Sequence, residues 1–323
     1  MADYDVFNGD ADGITALLQL RLAEPRAAQL VTGIKRDIAL LERPQLAALG
    51  EGDRVVVLDL SLDKNRAPLE QLLERGAEVF YCDHHFAGAV PNSSRLASLI
   101  NEAPEVCTSL LINGYLRGRF AAWAVVGAYG DNLHESARRL AQQIELSEEQ
   151  SAALRELGEL LNYNGYGESL EDLYFHPAEL FKELLKFQSP LDLLDNPPPA
   201  LAALRAGHAA DVAACAEVET LLNDTAGIVK VLPNAPWARR ISGVWANQLA
   251  RDNPDQAVAL LTEKTAGYLV SVRAPLSRRI GAAALCRQFT SGGGREAAAG
   301  INLLAAHDRD NFLELFSKNF SNL

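Results

Sequence analysis

The chain has 323 residues, of which 48% are hydrophobic and 22% are charged. This length suits two domains, and this composition is typical of a folded globular protein rather than a disordered one. The formal net charge of −12 argues against a protein that coats long nucleic acid, because neutralised phosphates supply most of the affinity in such proteins. A short phosphorylated ligand is compatible with this charge, since arginines and metal ions can make a local pocket positive.

The sequence also indicates where the protein works. It contains no apolar run of about 18 residues without charge, so we predict no membrane-spanning helix. The acidic N-terminal segment leads directly into a predicted strand, which is unlike a signal peptide. The four cysteines have no paired spacing, so we expect reduced thiols rather than disulfides or a zinc site. Together these features predict a cytoplasmic protein.

The first half of the chain alternates short apolar runs with helical patterns. The patterns predict strands at 4–8, 31–34, 54–58 and 77–82, and helices at 14–22 (amphipathic) and 68–75. This alternation predicts an α/β fold with right-handed crossovers and a doubly wound parallel sheet covered by helices on both faces. Ligands of such sheets bind beyond the carboxyl ends of the strands.

The second half of the chain predicts a helical region and then a smaller α/β domain. We expect helices over 108–194 with a turn-rich break at 162–167, and a domain boundary at the three prolines of 197–199. The following patterns predict a connecting helix at 200–222, strands at 227–232, 257–262 and 268–273, and helices at 280–289 and 308–320. The predicted organisation is a catalytic domain over 1–194, a linker with the connecting helix over 195–226, and a second domain over 227–323, with a cleft between the two domains.

Acidic and histidine residues follow several of the predicted apolar elements. They are Asp10, Asp12, Asp59, the triplet Asp83-His84-His85, and Asp131. Alone, the first two aspartates and Asp59 are also typical of acidic turns or helix caps. Together, these carboxylates, brought with the two imidazoles to one edge of a sheet, would repel one another unless cations neutralised them. Oxygen ligands with one imidazole and no thiolate favour manganese or magnesium over zinc.

The order and spacing of these residues resemble the DHH superfamily of phosphoesterases, which is named after the triplet found here at 83–85. The resemblance covers nearly the whole chain and implies two Mn²⁺ ions, with Mg²⁺ as an alternative. It implies the following ligands: Asp59 bridging both ions, Asp10 on the first ion, and Asp12, His84 and Asp131 on the second. It further implies that His85, beside Asp83, contacts the phosphate or helps to protonate the leaving oxygen.

Two positions depart from that family. Many nanoRNase-type relatives have a histidine four residues before the first aspartate, where this chain has Val6. RecJ-type nucleases often carry an aspartate where this chain has Asn8, which we also expect to contact substrate. These departures predict a weaker or more hydrated first ion site.

The segment Gly292-Gly293-Gly294-Arg295 resembles the DHH-associated domain, whose signature is a triple glycine, a histidine and then Ala-Ala-Gly. Such glycines let backbone N–H groups approach a phosphate, at or near the start of a helix. The alternative is a flexible turn. Arg295 replaces the histidine, and its guanidinium adds a permanent positive charge that can bind a phosphate through two N–H groups. Arg273 matches a position at which relatives contact substrate.

The resemblance implies a Mn²⁺-dependent phosphodiesterase that hydrolyses very short oligonucleotides, such as the diribonucleotide pGpG, to 5′-mononucleotides by two-metal activation of water. The sequence leaves open a RecJ-like single-strand exonuclease, a nucleoside bisphosphate phosphatase and a non-catalytic nucleotide sensor. We expect a short RNA dinucleotide as partner, no long nucleic acid and no membrane, and a homodimer is left open.

Overall fold

A computed structural model describes residues 2–321 and divides the chain into two compact units, Met1–Arg205 and Ala206–Leu323. Each unit contains one β-sheet with its own apolar core. Among the helices of the described residues, none is both long and apolar enough to cross a membrane.

The first unit is built on a five-stranded sheet that is parallel throughout. Its strands are β1 (Asp3–Phe7), β2 (Gln29–Val31), β3 (Arg54–Leu58), β4 (Glu78–Asp83) and β5 (Leu96–Ile100). The strand order is β2-β1-β3-β4-β5. The strands predicted at 4–8, 54–58 and 77–82 are confirmed with small shifts at their ends, whereas the strand predicted at 31–34 overlaps β2 at Val31 alone. The edge strand β5 was missed, because it is only partly buried and lacks a β-branched run.

Helices surround this sheet. They are α1 (Ala11–Ala23), α2 (Leu62–Glu74), α3 (Thr108–Tyr115), α4 (Ala121–Gly130), α5 (His134–Gln143), α6 (Glu148–Gly165), α7 (Pro177–Leu184), α8 (Asp192–Asp195) and α9 (Pro199–Ala214), of which α9 crosses into the second unit. Successive side chains of β3 pack into two different apolar cores. Val56 and Leu58 share a core with residues of α1, whereas Val55 and Val57 share a core with residues of α2. The predicted doubly wound α/β fold is therefore confirmed.

Two predictions for these helices were wrong. Helix α1 is not amphipathic but buried on all sides from Ala11 to Arg21, because α3, α4, α6 and α7 pack around it. The predicted break at 162–167 begins too early, because α6 continues through Asn162 and Asn164 and ends at Gly165. The turn-forming asparagines there have partners outside the helix: Asn162 accepts from Lys35, and Asn164 exchanges hydrogen bonds with the backbone of Phe175.

The second unit has a six-stranded sheet in the order β10-β11-β9-β8-β7-β6, in which only β7 and β8 are parallel. Its strands are β6 (Glu219–Asn223), β7 (Gly227–Leu232), β8 (Ala257–Lys264), β9 (Gly267–Arg273), β10 (Gly292–Gly294) and β11 (Ala298–Ala305). Its helices are α10 (Pro236–Asp252), α11 (Ala282–Cys286) and α12 (Arg309–Ser321). The predicted smaller α/β domain is confirmed.

Several elements of this unit were misplaced or missed in the sequence-based prediction. The predicted connecting helix at 200–222 ends at Ala214, because residues 219–223 pair with β7 as strand β6. Helix α10 and strand β11 were missed. A proline at the first turn of α10 is a recognisable helix-start signal that would have located this helix.

Candidate metal centre

The carboxyl ends of β1, β3 and β4 bring the predicted metal residues of the first unit to one edge of the sheet. Asp10 and Asp12 follow β1 at the start of α1, Asp59 follows β3, and Asp83 is the last residue of β4. Asp131 reaches the same edge from the C-terminal end of α4. Parallel strands that are neighbours end side by side, which explains why residues far apart in sequence meet here.

The imidazole of His84 is the centre of this cluster. Its Nε2 lies 3.5 Å from Asp59 Oδ1, 3.7 Å from Asp131 Oδ2 and 3.9 Å from Asp12 Oδ2. Ligand atoms that share one ion at about 2.1 Å lie roughly 3–4 Å apart, and the distances of these three oxygens from Nε2 fall in that range. Three carboxylates with one imidazole form the donor set of a hard divalent ion such as Mn²⁺ or Mg²⁺. The residues present therefore fit a metal at this position.

The N-terminus of α3 fixes two of these carboxylates. The backbone N–H of Thr108 donates to Asp12 Oδ2 at 2.8 Å, and that of Ser109 donates to Asp12 Oδ1 at 2.7 Å. The Thr108 hydroxyl donates to Asp59 Oδ1 at 3.1 Å. The free N–H groups at the start of a helix stabilise negative charge, so α3 holds Asp12 and Asp59 in place.

The buried carboxylate of Asp59 destabilises the fold when it is charged. The φ of Asp59 is +59°, in the left-handed region that aspartate and asparagine adopt more readily than most residues, and its side chain is buried. Burial and the charges of Asp12, Asp10, Asp131 and Asp83 raise its pKa well above the usual range. Crowded, buried charge is typical of functional sites, where a ligand compensates for it.

His85 lies beside the cluster and is held by Asp83. Its Nδ1 is 2.8 Å from Asp83 Oδ1, and its side chain is 38% exposed. Burial lowers the pKa of His85, but the hydrogen bond and charge of Asp83 outweigh burial and raise it. Donor atoms of His85, His84 and Asp59 lie within 4.8 Å of one another, so His85 is also within reach of an ion.

Asp10 faces a lysine that the sequence analysis missed. Asp10 Oδ1 caps α1 by accepting from the N–H groups of Asp12 and Gly13, while Oδ2 lies 2.5 Å from Lys35 Nζ. Burial raises the pKa of Asp10, but Lys35 outweighs burial and lowers it. Burial in turn lowers the pKa of Lys35, but Asp10 raises it well above its usual value. A single lysine in the loop after β2 carries no recognisable pattern, so only the fold reveals this contact.

Asn8, predicted to contact substrate, lies at the same edge of the sheet. Its side-chain N–H donates to the backbone carbonyl of Lys35 at 3.2 Å, and its Oδ1 is buried without a hydrogen-bond partner among the described residues. The contact that the structure gives Asn8 is therefore to Lys35, and its role toward substrate stays a prediction.

The predicted substrate residues of the second unit lie at one end of its sheet. Residues 292–294 form the edge strand β10, not the predicted loop at a helix start. Arg273 ends β9 and pairs in register with Ala298, while Arg295 lies exposed in the turn between β10 and β11. Arg273 Nε donates to Asn247 at 2.6 Å. The sheet thus brings Arg273 and Arg295 to the same end.

The three glycines of β10 are not equivalent. A Cβ at Gly292 would lie 1.7 Å from the Cys286 carbonyl oxygen, so α11 packs too closely for a side chain there. Gly294 has a φ of +134°, which a side chain would strain. A Cβ at Gly293 would meet no heavy atom of the described residues within 4 Å. Packing therefore requires glycine at 292 and backbone conformation requires it at 294. Neither requires it at 293, where the space is open.

Comparison with known families and structures identifies the second unit. Residues 224–322 match the model of the DHHA1 domain. No curated protein sequence matches the chain.

Solved structures share the fold at low sequence identity. The DHH domain of a protein described as a member of the s1p family of ribosomal proteins has a TM-score of 0.65 and 14% identity, with 98% of this chain and 86% of that chain covered. Exonuclease RecJ bound to manganese has a TM-score of 0.63 and 18% identity, with 100% and 90% covered. The pGpG-specific phosphodiesterase PggH from Vibrio cholerae has a TM-score of 0.55 and 13% identity, with 99% of each chain covered.

The domain match and the shared fold agree with the resemblance found in the sequence. The DHHA1 match covers the glycine segment and Arg295, and the folds of RecJ and the other DHH proteins cover both units. Residues 224–322 are therefore similar to the DHHA1 domain, and the chain shares the fold of RecJ, of PggH and of a solved DHH domain.

Proposed function

We propose that the chain is a metal-dependent phosphodiesterase that hydrolyses very short oligonucleotides, including diribonucleotides such as pGpG, to 5′-mononucleotides. The observation that carries this proposal is the cluster of three carboxylates around His84 Nε2 at the carboxyl ends of the parallel strands. The fold of PggH, which is described as pGpG-specific, supports the choice of a dinucleotide, and the manganese of RecJ supports Mn²⁺.

The residues of the first unit have distinct roles in this proposal. Asp12, Asp59, His84 and Asp131 would hold a divalent cation, which would activate water and neutralise charge on the scissile phosphate. The N-terminus of α3 keeps Asp12 and Asp59 in position before the cation arrives. The hydrogen bond that His85 Nδ1–H donates to Asp83 orients the ring of His85, so that its other nitrogen can contact the phosphate or protonate the leaving oxygen.

We expect substrate length to separate this function from its alternatives. In the presence of Mn²⁺ the chain should cleave a two-nucleotide RNA about tenfold or more faster than a ten-nucleotide RNA, a difference of roughly 1.4 kcal/mol. A chelator should abolish cleavage. The measurement is product analysis with RNA of two, three, five and ten nucleotides and with the DNA equivalents.

The alternatives give different outcomes in the same experiment. Equal rates per strand end for all lengths would indicate a RecJ-like exonuclease. Turnover only of an added nucleoside 3′,5′-bisphosphate would indicate a phosphatase, and binding of the dinucleotide without cleavage would indicate a sensor. Any of these results would contradict the proposal.

We further propose that Arg295 binds a substrate phosphate remote from the scissile bond. Loss of a charge-assisted hydrogen bond costs about 1.5–3 kcal/mol, so Arg295→Ala should lower kcat/KM by roughly ten- to a hundredfold while the metal content is unchanged. Arg295→His should recover part of this loss. The exposed Arg278 in the same unit offers a matched control, and Arg278→Ala should leave kcat/KM unchanged. Unchanged dinucleotide kinetics in Arg295→Ala would show that Arg295 does not bind substrate.

We also propose a cytoplasmic location. Cys82, Cys107, Cys215 and Cys286 are buried and free. Unpaired thiols are usual in proteins of a reducing compartment, which supports this location.

A further inference from the structure

The ammonium group of Lys35 lies where a cation between Asp10 and Asp131 would lie. Lys35 Nζ is 2.5 Å from Asp10 Oδ2, 2.9 Å from Asn162 Oδ1 and 3.8 Å from Asp131 Oδ1. Two carboxylates and an amide oxygen surround it, and all of these atoms are of the kind that would coordinate a metal ion. Asp10 is the residue that the family resemblance assigns to a first ion, in addition to the ion near His84.

The protein holds Lys35 in this position from several sides. Its backbone N–H donates to the carbonyl of Gly165 at 2.8 Å, and its own carbonyl accepts from Asn8 at 3.2 Å. Asn162 and Gly165 belong to the last turns of α6, whose C-terminal end favours a positive charge. The ring of Tyr166 lies 5.7 Å from Nζ and adds a cation–π contact. The position is therefore a site built for a fixed cation rather than a chance approach of a surface lysine.

The residues near Asp10 are poorly suited to a second metal ion. Val6 is buried in an apolar core and supplies no ligand. Asn8 is neutral: its side-chain N–H donates to the backbone carbonyl of Lys35, and its Oδ1, which has no hydrogen-bond partner among the described residues, brings no negative charge. A metal ion bound to Asp10 would also have to displace the ammonium group or tolerate its repulsion.

We propose that Lys35 takes the place of the first of the two ions that the family resemblance implies, and that this chain binds a single divalent ion, at Asp12, Asp59, His84 and Asp131. The proposal deepens the proposed function and rests on it for the kind of ion. The number of ions can be measured without substrate.

The test is the Mn²⁺ content of the full chain after equilibrium dialysis, measured by elemental analysis, together with its electron paramagnetic resonance spectrum. We expect about one ion for each wild-type chain, with a spectrum that shows no coupling between ions. Lys35→Met keeps the apolar stem but removes the charge, and it should take up a second ion with a coupled spectrum. Lys35→Arg keeps the charge and should bind one ion.

Lys186, which is 61% exposed and paired with Glu183, provides the control for loss of one positive charge. Lys186→Met should bind one ion. Two coupled ions in the wild-type chain would overturn the proposal, and so would a folded Lys35→Met chain that still binds one. If Lys35→Met does not fold, two coupled ions in the wild-type chain or in Lys35→Arg would still overturn the proposal.

Failure of this inference differs from failure of the proposed function. A chain that binds one ion and cleaves no phosphodiester would contradict the function and leave the role of Lys35 intact. A chain that cleaves dinucleotides and binds two ions would support the function and overturn the role of Lys35.

Discussion

Asp59→Ala will lower the turnover of a dinucleotide by about a hundred- to a thousandfold or more and will strip the divalent ion from the protein. Asp59 Oδ1 is the oxygen nearest to His84 Nε2 in the cluster, at 3.5 Å, and the Thr108 hydroxyl also donates to it. Removal of one group that stabilises transition-state charge typically has an effect of this size, and loss of the ion adds to it. The measurements are kcat/KM on a dinucleotide and Mn²⁺ content. Near-normal turnover would show that the metal residues are wrongly assigned.

Asp59→Asn is the control that separates the loss of an ion from damage to the fold. Asparagine keeps an acceptor for Thr108 and tolerates the positive φ of this position. We expect this variant to lose the ion and the activity, yet to unfold at a higher temperature than the wild type when both are metal-free. Each kcal/mol of added stability raises the midpoint of a domain of this size by about 2–4 °C.

The pH dependence of this difference follows from the raised pKa of Asp59. A buried carboxyl with a raised pKa favours folding when it is protonated, and this stability is lost as the pH rises from its ordinary value of 3.8 through the higher value in the fold. The higher unfolding temperature of Asp59→Asn should therefore be absent in acid. The difference from the wild type should grow as the pH rises from 3.8 through the raised pKa of Asp59. Thermal unfolding in a chelator at several pH values measures it. A variant less stable than the wild type near pH 8 would contradict this explanation.

The sequence predicted this part of the molecule well because two local signals coincide there. The apolar runs of β1, β3 and β4 are each followed within three residues by an aspartate, and parallel strands place their ends together whatever the loops between them do. Asp10, Asp59 and Asp83 could therefore be grouped from sequence spacing. Thr108 could not, because its contact to Asp59 depends on how α3 packs.

The sequence failed where tertiary contacts override local preference. Residues 162–165 have a turn-like composition but remain helical, because Asn162 and Asn164 are satisfied by Lys35 and Phe175. The glycines of 292–294 are typical of a loop, yet they form an edge strand that α11 approaches closely. The role of Lys35 also depends on tertiary contacts, since nothing in its local sequence distinguishes it from a surface lysine.

His85→Ala will lower kcat on a dinucleotide by about a hundred- to ten-thousandfold while the bound ion is kept. Proton transfer by a positioned side chain contributes a factor of this size. His85 is partly exposed and is anchored at Nδ1 by Asp83, which leaves its other nitrogen free to reach a substrate. Kinetics and Mn²⁺ content of the same preparation measure the two effects. His307→Ala, at a histidine that is 85% exposed in the second unit, is the control and should change neither.

Asp83→Asn tests whether Asp83 acts through His85. The hydrogen bond and charge of Asp83 raise the pKa of His85, so His85 stays protonated to a higher pH than it would alone. If protonated His85 is the acid, kcat falls as the pH rises through this pKa, and in Asp83→Asn that fall should begin at a lower pH. A tenfold to hundredfold loss at neutral pH is the expected size for such a positioning residue. Loss of the ion in His85→Ala would instead make His85 a metal ligand, which its 3.9 Å distance to Asp59 Oδ1 allows, and would leave the acid to another group.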